Sequence, residues 1–205
     1  MKSVSLKHGR RSGFTLIELL TVIAIIGILA AITIPVLGNV KIAGNKAKTK
    51  AMFSQWSLSM DLFKSEYGYY PAIGTTGTPN TITNASNFFA ALTGKAYNGT
   101  AASDLRGNTR KLSFYTPAAS DVTVISALPY LTDAFGNTEF AVFTDTDGNG
   151  IISGSELTQL SVNSIDGVTV PVTDATFTTT AGVRAGVIFY SAGKGLVEKD
   201  IVTSW

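Results

Sequence analysis

The apolar run GFTLIELLTVIAIIGILAAITIP near the start of the chain limits what the rest can be. From Phe14 to Leu37 it spans 24 residues and holds a single ionisable one, Glu18. A helix of that length crosses a hydrocarbon core of about 30 Å. Ahead of it, Lys2, Lys7, Arg10 and Arg11 form a basic segment, and Leu29-Ala30-Ala31 offers small residues of the kind cut in secretory signal peptides. The apolar region of a signal peptide is shorter, roughly 7–15 residues, and uncharged. A carboxylate in the bilayer costs on the order of a few kcal/mol unless it is compensated. The run therefore reads as a spanning helix whose glutamate needs a partner.

The segment RRSGFTLIELLTVIAIIGILAAITIP resembles the N-terminus of type IV pilin-like proteins, among them the pseudopilins of type II secretion systems. Four residues carry the likeness in register: Gly13, Phe14, Glu18 and Pro35. The resemblance implies that prepilin peptidase cuts between Gly13 and Phe14, that Phe14 becomes an N-methylated amino terminus, and that Pro35 kinks the helix. It implies a cytoplasmic leader over 1–13, a transmembrane and filament-core helix over 14–37, its amphipathic continuation over 38–70, and a globular domain over 71–205. The chain is then a single-pass inner-membrane protein with its domain in the periplasm or outside the cell. Its partners are identical or homologous filament subunits, the peptidase and an inner-membrane assembly platform. Glu18 is implied to meet the amino terminus of a neighbouring subunit. Elementary physics agrees, since an ammonium on Phe14 lies four residues from Glu18 on one helical face. A carboxylate in the first turn also faces the positive end of the helix dipole.

Composition removes other classes. The leader takes four of the 16 Lys+Arg and none of the 14 Asp+Glu, so the chain after Gly13 has a net charge of −2 and offers no argument for nucleic-acid binding. Lys41, Lys46, Lys48 and Lys50 read as a solvated or headgroup-facing turn, and they leave the positive-inside rule nearly tied. There is no cysteine, hence no disulfide or thiolate metal site. The one histidine, His8, lies in the leader, so the mature chain has no imidazole for a catalytic triad. No enzyme is expected.

Past Gly38 the helical period continues. Met52, Trp56, Met60, Phe63 and Tyr67 form an apolar stripe that must pack on a domain, and Gly68 with Pro71 ends the helix. Pro35 removes a backbone hydrogen bond, so a bend or local unwinding is expected between it and Gly38. Residues 72–132 are rich in Thr, Asn, Gly, Ser and Ala and read as irregular, apart from the short helical piece NFFAALTG ending at Gly94. TEFAVFT, TVPVTDATFT and AGVIFYSAG read as strands. The fold class is α+β: a long N-terminal helix packed on a small antiparallel sheet, pilin-like. YGYYP, LTDAFGNTEF and FYSAGKGLVEKDIVTSW resemble the major pseudopilins in particular.

The loop DTDGNGIISGSE, 145–156, fits the calcium pattern D-x-[DN]-x-[DN]-G-x5-E at every position. Asp145, Asp147 and Asn149 supply side-chain oxygens and Gly150 the sharp turn. The Ile151 carbonyl and Ser153 follow, and Glu156 closes the shell in bidentate fashion. Hard oxygen donors in this number suit Ca²⁺. A strand precedes the loop, so a fixed structural ion is expected rather than a helix-loop-helix sensor. The pseudopilin resemblance also implies a calcium site in the C-terminal loop. There Lys194-Gly195 stands where an aspartate-glycine pair is usual, and Glu198 and Asp200 remain as a possible second set. A second functional class fits part of this picture: a calcium-stabilised adhesion or binding ectodomain on an N-terminal membrane anchor. That class has no need of Gly13, Phe14 and Glu18 in register.

Overall fold

The computed structural model of the chain describes residues 13–75, 80–153, 156–157, 161–171, 182–195 and 201–205. Two compact units divide it, 1–42 and 43–205. Helix α1, Leu16–Tyr67, runs without a break through Pro35 and Gly38. The expected unwinding is therefore not there. Proline forfeits only its own bond to the carbonyl four residues back, and the bonds of the flanking turns carry the helix across. In the first unit the apolar side chains from Leu16 to Ile34 are exposed. At the far end the Gly68 N–H closes on the Lys64 carbonyl at 2.7 Å, and Pro71 prevents any continuation.

In the second unit the α1 stripe faces a four-stranded sheet. Its strands are β1 (Thr81–Ile82), β4 (Phe140–Thr144), β7 (Val187–Ser191) and β8 (Val202–Thr203), antiparallel in the order β1-β4-β7-β8. The long N-terminal helix on a small antiparallel sheet gives the α+β, pilin-like architecture expected from the sequence. Met52, Trp56, Met60 and Phe63 are buried as the period predicts, and Phe53 joins them. Trp56 lies at the centre. Its ring centroid is 5.6 Å from that of Phe53, 5.1 Å from Phe88 and Phe140, and 5.5 Å from Phe189. Its Nε1–H donates to the Tyr115 hydroxyl at 3.2 Å, which satisfies the one polar atom of the indole.

Alternation along β4 predicts one buried face, but both are covered. Phe140 and Val142, with Val187 and Phe189 of β7, join the core under the helix. Ala141 and Phe143, with Ile188 and Tyr190, join a second core with Ile152, Leu157, Val162 and Val183. Successive strand residues point to opposite faces, so the central pair of strands is clad on both.

The region 72–132 is more ordered than its composition implies. Helix α2, Ser86–Thr93, buries Phe88 to Leu92 and ends on Gly94 with φ 68°. A Cβ at Gly94 would stand 2.6 Å from the Lys111 Cα, so backbone approach as well as backbone sign requires glycine. A hairpin of β2 (Val122–Ile125) and β3 (Leu128–Leu131) turns at Ser126 and Ala127, with φ of 50° and 65°. The expectation of an irregular segment is corrected here. Primed hairpin turns normally announce themselves with Asn or Gly, and this one carries neither. A second hairpin pairs β5 (Ser161–Asn163) with β6 (Thr169–Pro171), which is the described start of the strand expected at TVPVTDATFT.

The LTDAFGNTEF turn is held by a buried carboxylate. Asp133 Oδ1 accepts the N–H groups of Phe135 (2.8 Å) and Asn137 (2.9 Å). Its Oδ2 accepts from the Asn137 amide (2.9 Å) and the Ser191 hydroxyl (2.8 Å). The Asn137 amide also donates to the Gly193 carbonyl at 2.7 Å, tying the turn to the segment after β7.

Candidate metal centre and assembly segment

The 145–156 loop leaves the sheet directly from β4, as the sequence implies, and its first carboxylate stays buried. Asp145 Oδ1 accepts the Gly148 N–H at 2.8 Å and Oδ2 accepts the Gly150 N–H at 3.0 Å. Gly150 adopts φ 80°, the left-handed turn expected at the sixth position. Asp147 Oδ1 takes the Asn149 N–H at 3.0 Å, its Oδ2 takes the Asn149 amide at 2.8 Å, and Asn149 Oδ1 takes the Ile151 N–H at 2.7 Å. Glu156 reaches back over the loop. Its Oε1 accepts from both the N–H (2.7 Å) and the hydroxyl (2.9 Å) of Thr146, and its Oε2 accepts the Ser153 N–H at 3.1 Å.

These bonds converge three of the expected ligands. One carboxylate oxygen from each of Asp145, Asp147 and Glu156 lies within 4.8 Å of the others. Ligands on a shell of radius about 2.4 Å are at most about 4.8 Å apart, so the donor set fits one hard cation. Asn149, Ile151 and Ser153 lie on the chain between them, tied in by the bonds above. Glu156 Oε1 already holds two donors and Oε2 one, so this geometry leaves Oε2 as the readier ligand atom, where the loop pattern expects both oxygens to bind. Burial works to raise the Asp145 carboxyl. The N–H groups of Gly150 and Gly148, the Asp147 side chain and the Lys64 cation outweigh it and hold the group below its usual value. Glu156 behaves alike: burial raises it, and donors from Thr146, Ser153 and Asp147 outweigh that and hold it below its usual value. Both are kept in the ionised form that a metal requires.

Sequence reasoning passed over Ile152. It is fully buried in the second core and exchanges both backbone hydrogen bonds with Val183, at 2.8 and 2.9 Å. The signal was an apolar pair inside an otherwise polar loop. Glu198 and Asp200, the possible second metal set, lie outside the described residues, and Lys194 is exposed.

At the other end of the chain Glu18 has a local partner that the sequence reading missed. The Thr15 N–H and hydroxyl both donate to Glu18 Oε2 at 2.8 Å, and the Glu18 N–H returns to Thr15 Oγ1 at 3.3 Å. This is a capping box, legible as Thr15-x-x-Glu18 at the head of an apolar run. Oε1 makes no hydrogen bond among the described residues. Phe14 is 83% exposed, and nothing lies within 4 Å of where a Gly13 side chain would begin. Among the described residues α1 is the one helix long and apolar enough to cross a membrane.

The chain thus combines an apolar helix of spanning length, capped at its start by its own glutamate, with an α+β domain. Within it, residues 8–34 match the prokaryotic N-terminal methylation motif, which covers Gly13, Phe14 and Glu18. The match supports a type IV pilin-like subunit of a pilus or pseudopilus, a kind of protein that is processed by prepilin peptidase, associates with the membrane and assembles into filaments. No curated protein and no solved structure gives a significant match to the chain.

Proposed function

We propose that the chain is the structural subunit of a type II secretion pseudopilus or of a type IV pilus-like filament. The carrying observation is the methylation motif, with its cleavage and methylation residues beside an exposed apolar helix. The leader, 1–13, lies in the cytoplasm. Residues 14–37 cross the inner membrane once and later form the filament core, 38–70 carry the helix onto the domain, and 71–205 complete it outside the cytoplasm. The likeness of YGYYP, LTDAFGNTEF and FYSAGKGLVEKDIVTSW to segments of major pseudopilins favours secretion. Thr15 satisfies Glu18 Oε2 within the subunit, and Oε1 is left to receive the methylated ammonium of the next Phe14. Helices withdrawn from the bilayer then stack with their charges paired, and the growing rod does mechanical work. Mass spectrometry of the mature chain is expected to find an N-terminus at methylated Phe14. A cut near Ala31, or an uncut chain, would overturn the reading, and the second of these favours an anchored binding ectodomain.

The same reading places a structural Ca²⁺ in the 145–156 loop. It is supported by the oxygen-only donors, the spacing of the three carboxylates and the turn at Gly150. Full-length protein in detergent, stripped by chelator, is expected to gain stability on adding Ca²⁺. The gain follows RT ln(1 + [L]/Kd), about 2.7 kcal/mol with the ion at 100 times its Kd. Asp147→Ala should remove most of that gain and Asp200→Ala should keep it. A melting temperature indifferent to Ca²⁺ and chelator would reduce the loop to a turn, and the reverse pattern of the two variants would move the ion to the C-terminal loop.

A further inference from the structure

The last turn of α1 meets the metal loop across a cavity of about 300 Å³, lined by Lys64, Tyr69, Tyr70, Asp145, Thr146 and Asp147 among others. Among the described residues Lys64 is the only cationic side chain in that lining, and it faces a loop that gathers three carboxylates. It rests on an aromatic ring that is itself held in place. The Lys64 Nζ sits 4.3 Å over the centre of the Tyr70 ring, in cation-π contact. The Tyr70 hydroxyl donates to Asp61 Oδ1 at 2.8 Å, one turn back along the helix. The same hydroxyl packs so closely against Gly186 that no side chain fits there, and the Gly186 carbonyl accepts the Asp145 N–H at 2.9 Å. Helix end, aromatic wall and candidate metal loop thus form one connected unit, with the ammonium resting on its aromatic wall.

We propose that Lys64 is the built-in counter-ion of the 145–156 loop, balancing its carboxylates when no metal is bound and opposing a divalent cation when one arrives. The inference rests on the calcium reading above and deepens it by naming the residue that sets the affinity. Its physical basis is simple. Three carboxylates held together without a cation repel one another, and a nearby ammonium relieves part of that repulsion. Once Ca²⁺ enters, the ammonium that lines the same cavity as Asp145 and Asp147 faces a like charge, a repulsion that salt screens. The favourable term in the empty loop becomes an unfavourable one in the filled loop.

The test is calorimetric titration of full-length protein in detergent with CaCl₂ after chelation, comparing wild type, Lys64→Met and Lys64→Arg. Methionine keeps the length and apolar stem but removes the charge, whereas arginine keeps the charge. Lys64→Met is expected to bind Ca²⁺ roughly fivefold more tightly at low salt, a gain that shrinks in 1 M KCl as screening removes the repulsion. Its melting temperature should fall in chelator and recover with Ca²⁺. Lys64→Arg should keep the wild-type Kd. An unchanged Kd in Lys64→Met, with an equal loss of melting temperature in chelator and in Ca²⁺, would make Lys64 a packing residue and overturn the proposal alone. Equal tightening in Lys64→Arg would overturn it too, since the charge is then not the cause. A wild-type protein that takes up no Ca²⁺ overturns both this inference and the calcium reading beneath it.

Discussion

Glu18→Ala and Glu18→Gln are both expected to abolish filaments while leaving membrane insertion and leader cleavage intact. The pair of variants separates the capping seen in the structure from the proposed role in assembly. Glu18 Oε2 caps the helix through Thr15, and Oε1 stays open. Glutamine at the third helical position serves a capping box as well as glutamate does, so Glu18→Gln keeps the cap and loses only the charge. Alanine loses both. An apolar or neutral residue makes the span more comfortable in lipid, so insertion should not suffer. What fails is the pairing of the carboxylate with a neighbouring ammonium. Filament yield, measured by sedimentation and electron microscopy, should drop to background in both. If Glu18→Gln assembles normally and only Glu18→Ala does not, the glutamate works as a helix cap and its charge carries no assembly role.

Trp56→Ala should cost the second unit about 3–5 kcal/mol, the range for removing a large buried aromatic. Small domains hold only about 5–15 kcal/mol in total, so the loss takes up much of the margin. The cavity cannot close easily, because four aromatic rings surround the indole and belong to three different elements, α1, α2 and the sheet. The Tyr115 hydroxyl loses its indole donor as well. Denaturant unfolding of the full-length protein, followed by near-ultraviolet circular dichroism, reads the change directly. A loss below about 1 kcal/mol would place the centre of the core elsewhere. Trp56→Phe, which keeps a ring and forfeits only the hydrogen bond and part of the volume, should fall between the two.

What was legible in the sequence was what short-range spacing encodes. The α1 stripe repeats at helical period, the metal loop carries its donors at alternate positions of one short segment, and Gly94 marks a helix end. Each of these needs no knowledge of distant residues. The strands of the central sheet were visible as runs, but not the covering of both their faces, because that depends on Ile152, Leu157, Val162 and Val183 arriving from elsewhere. The β2–β3 hairpin hid behind Ser126 and Ala127, which hold left-handed conformations without the usual residues. The Thr15–Glu18 cap was readable and was eclipsed by the larger question of a charge in a membrane helix. The bond from Ser191 to Asp133 and the Lys64 contact were not readable at all. Asp133 and Ser191 are 58 positions apart, and only the closed fold brings them to 2.8 Å.

The sheet has one more consequence, for how copies of this protein meet. Its outer strands, β1 and β8, are two residues long each, while the inner pair β4 and β7 is five. A sheet edge recruits another chain by offering a row of open N–H and C=O groups, and a two-residue edge offers almost none. Crowded side by side at the density of a filament, such domains are poor templates for strand exchange between subunits. In the filament proposed above, growth would then rest on the helices rather than on the open-ended ladders of cross-β aggregation.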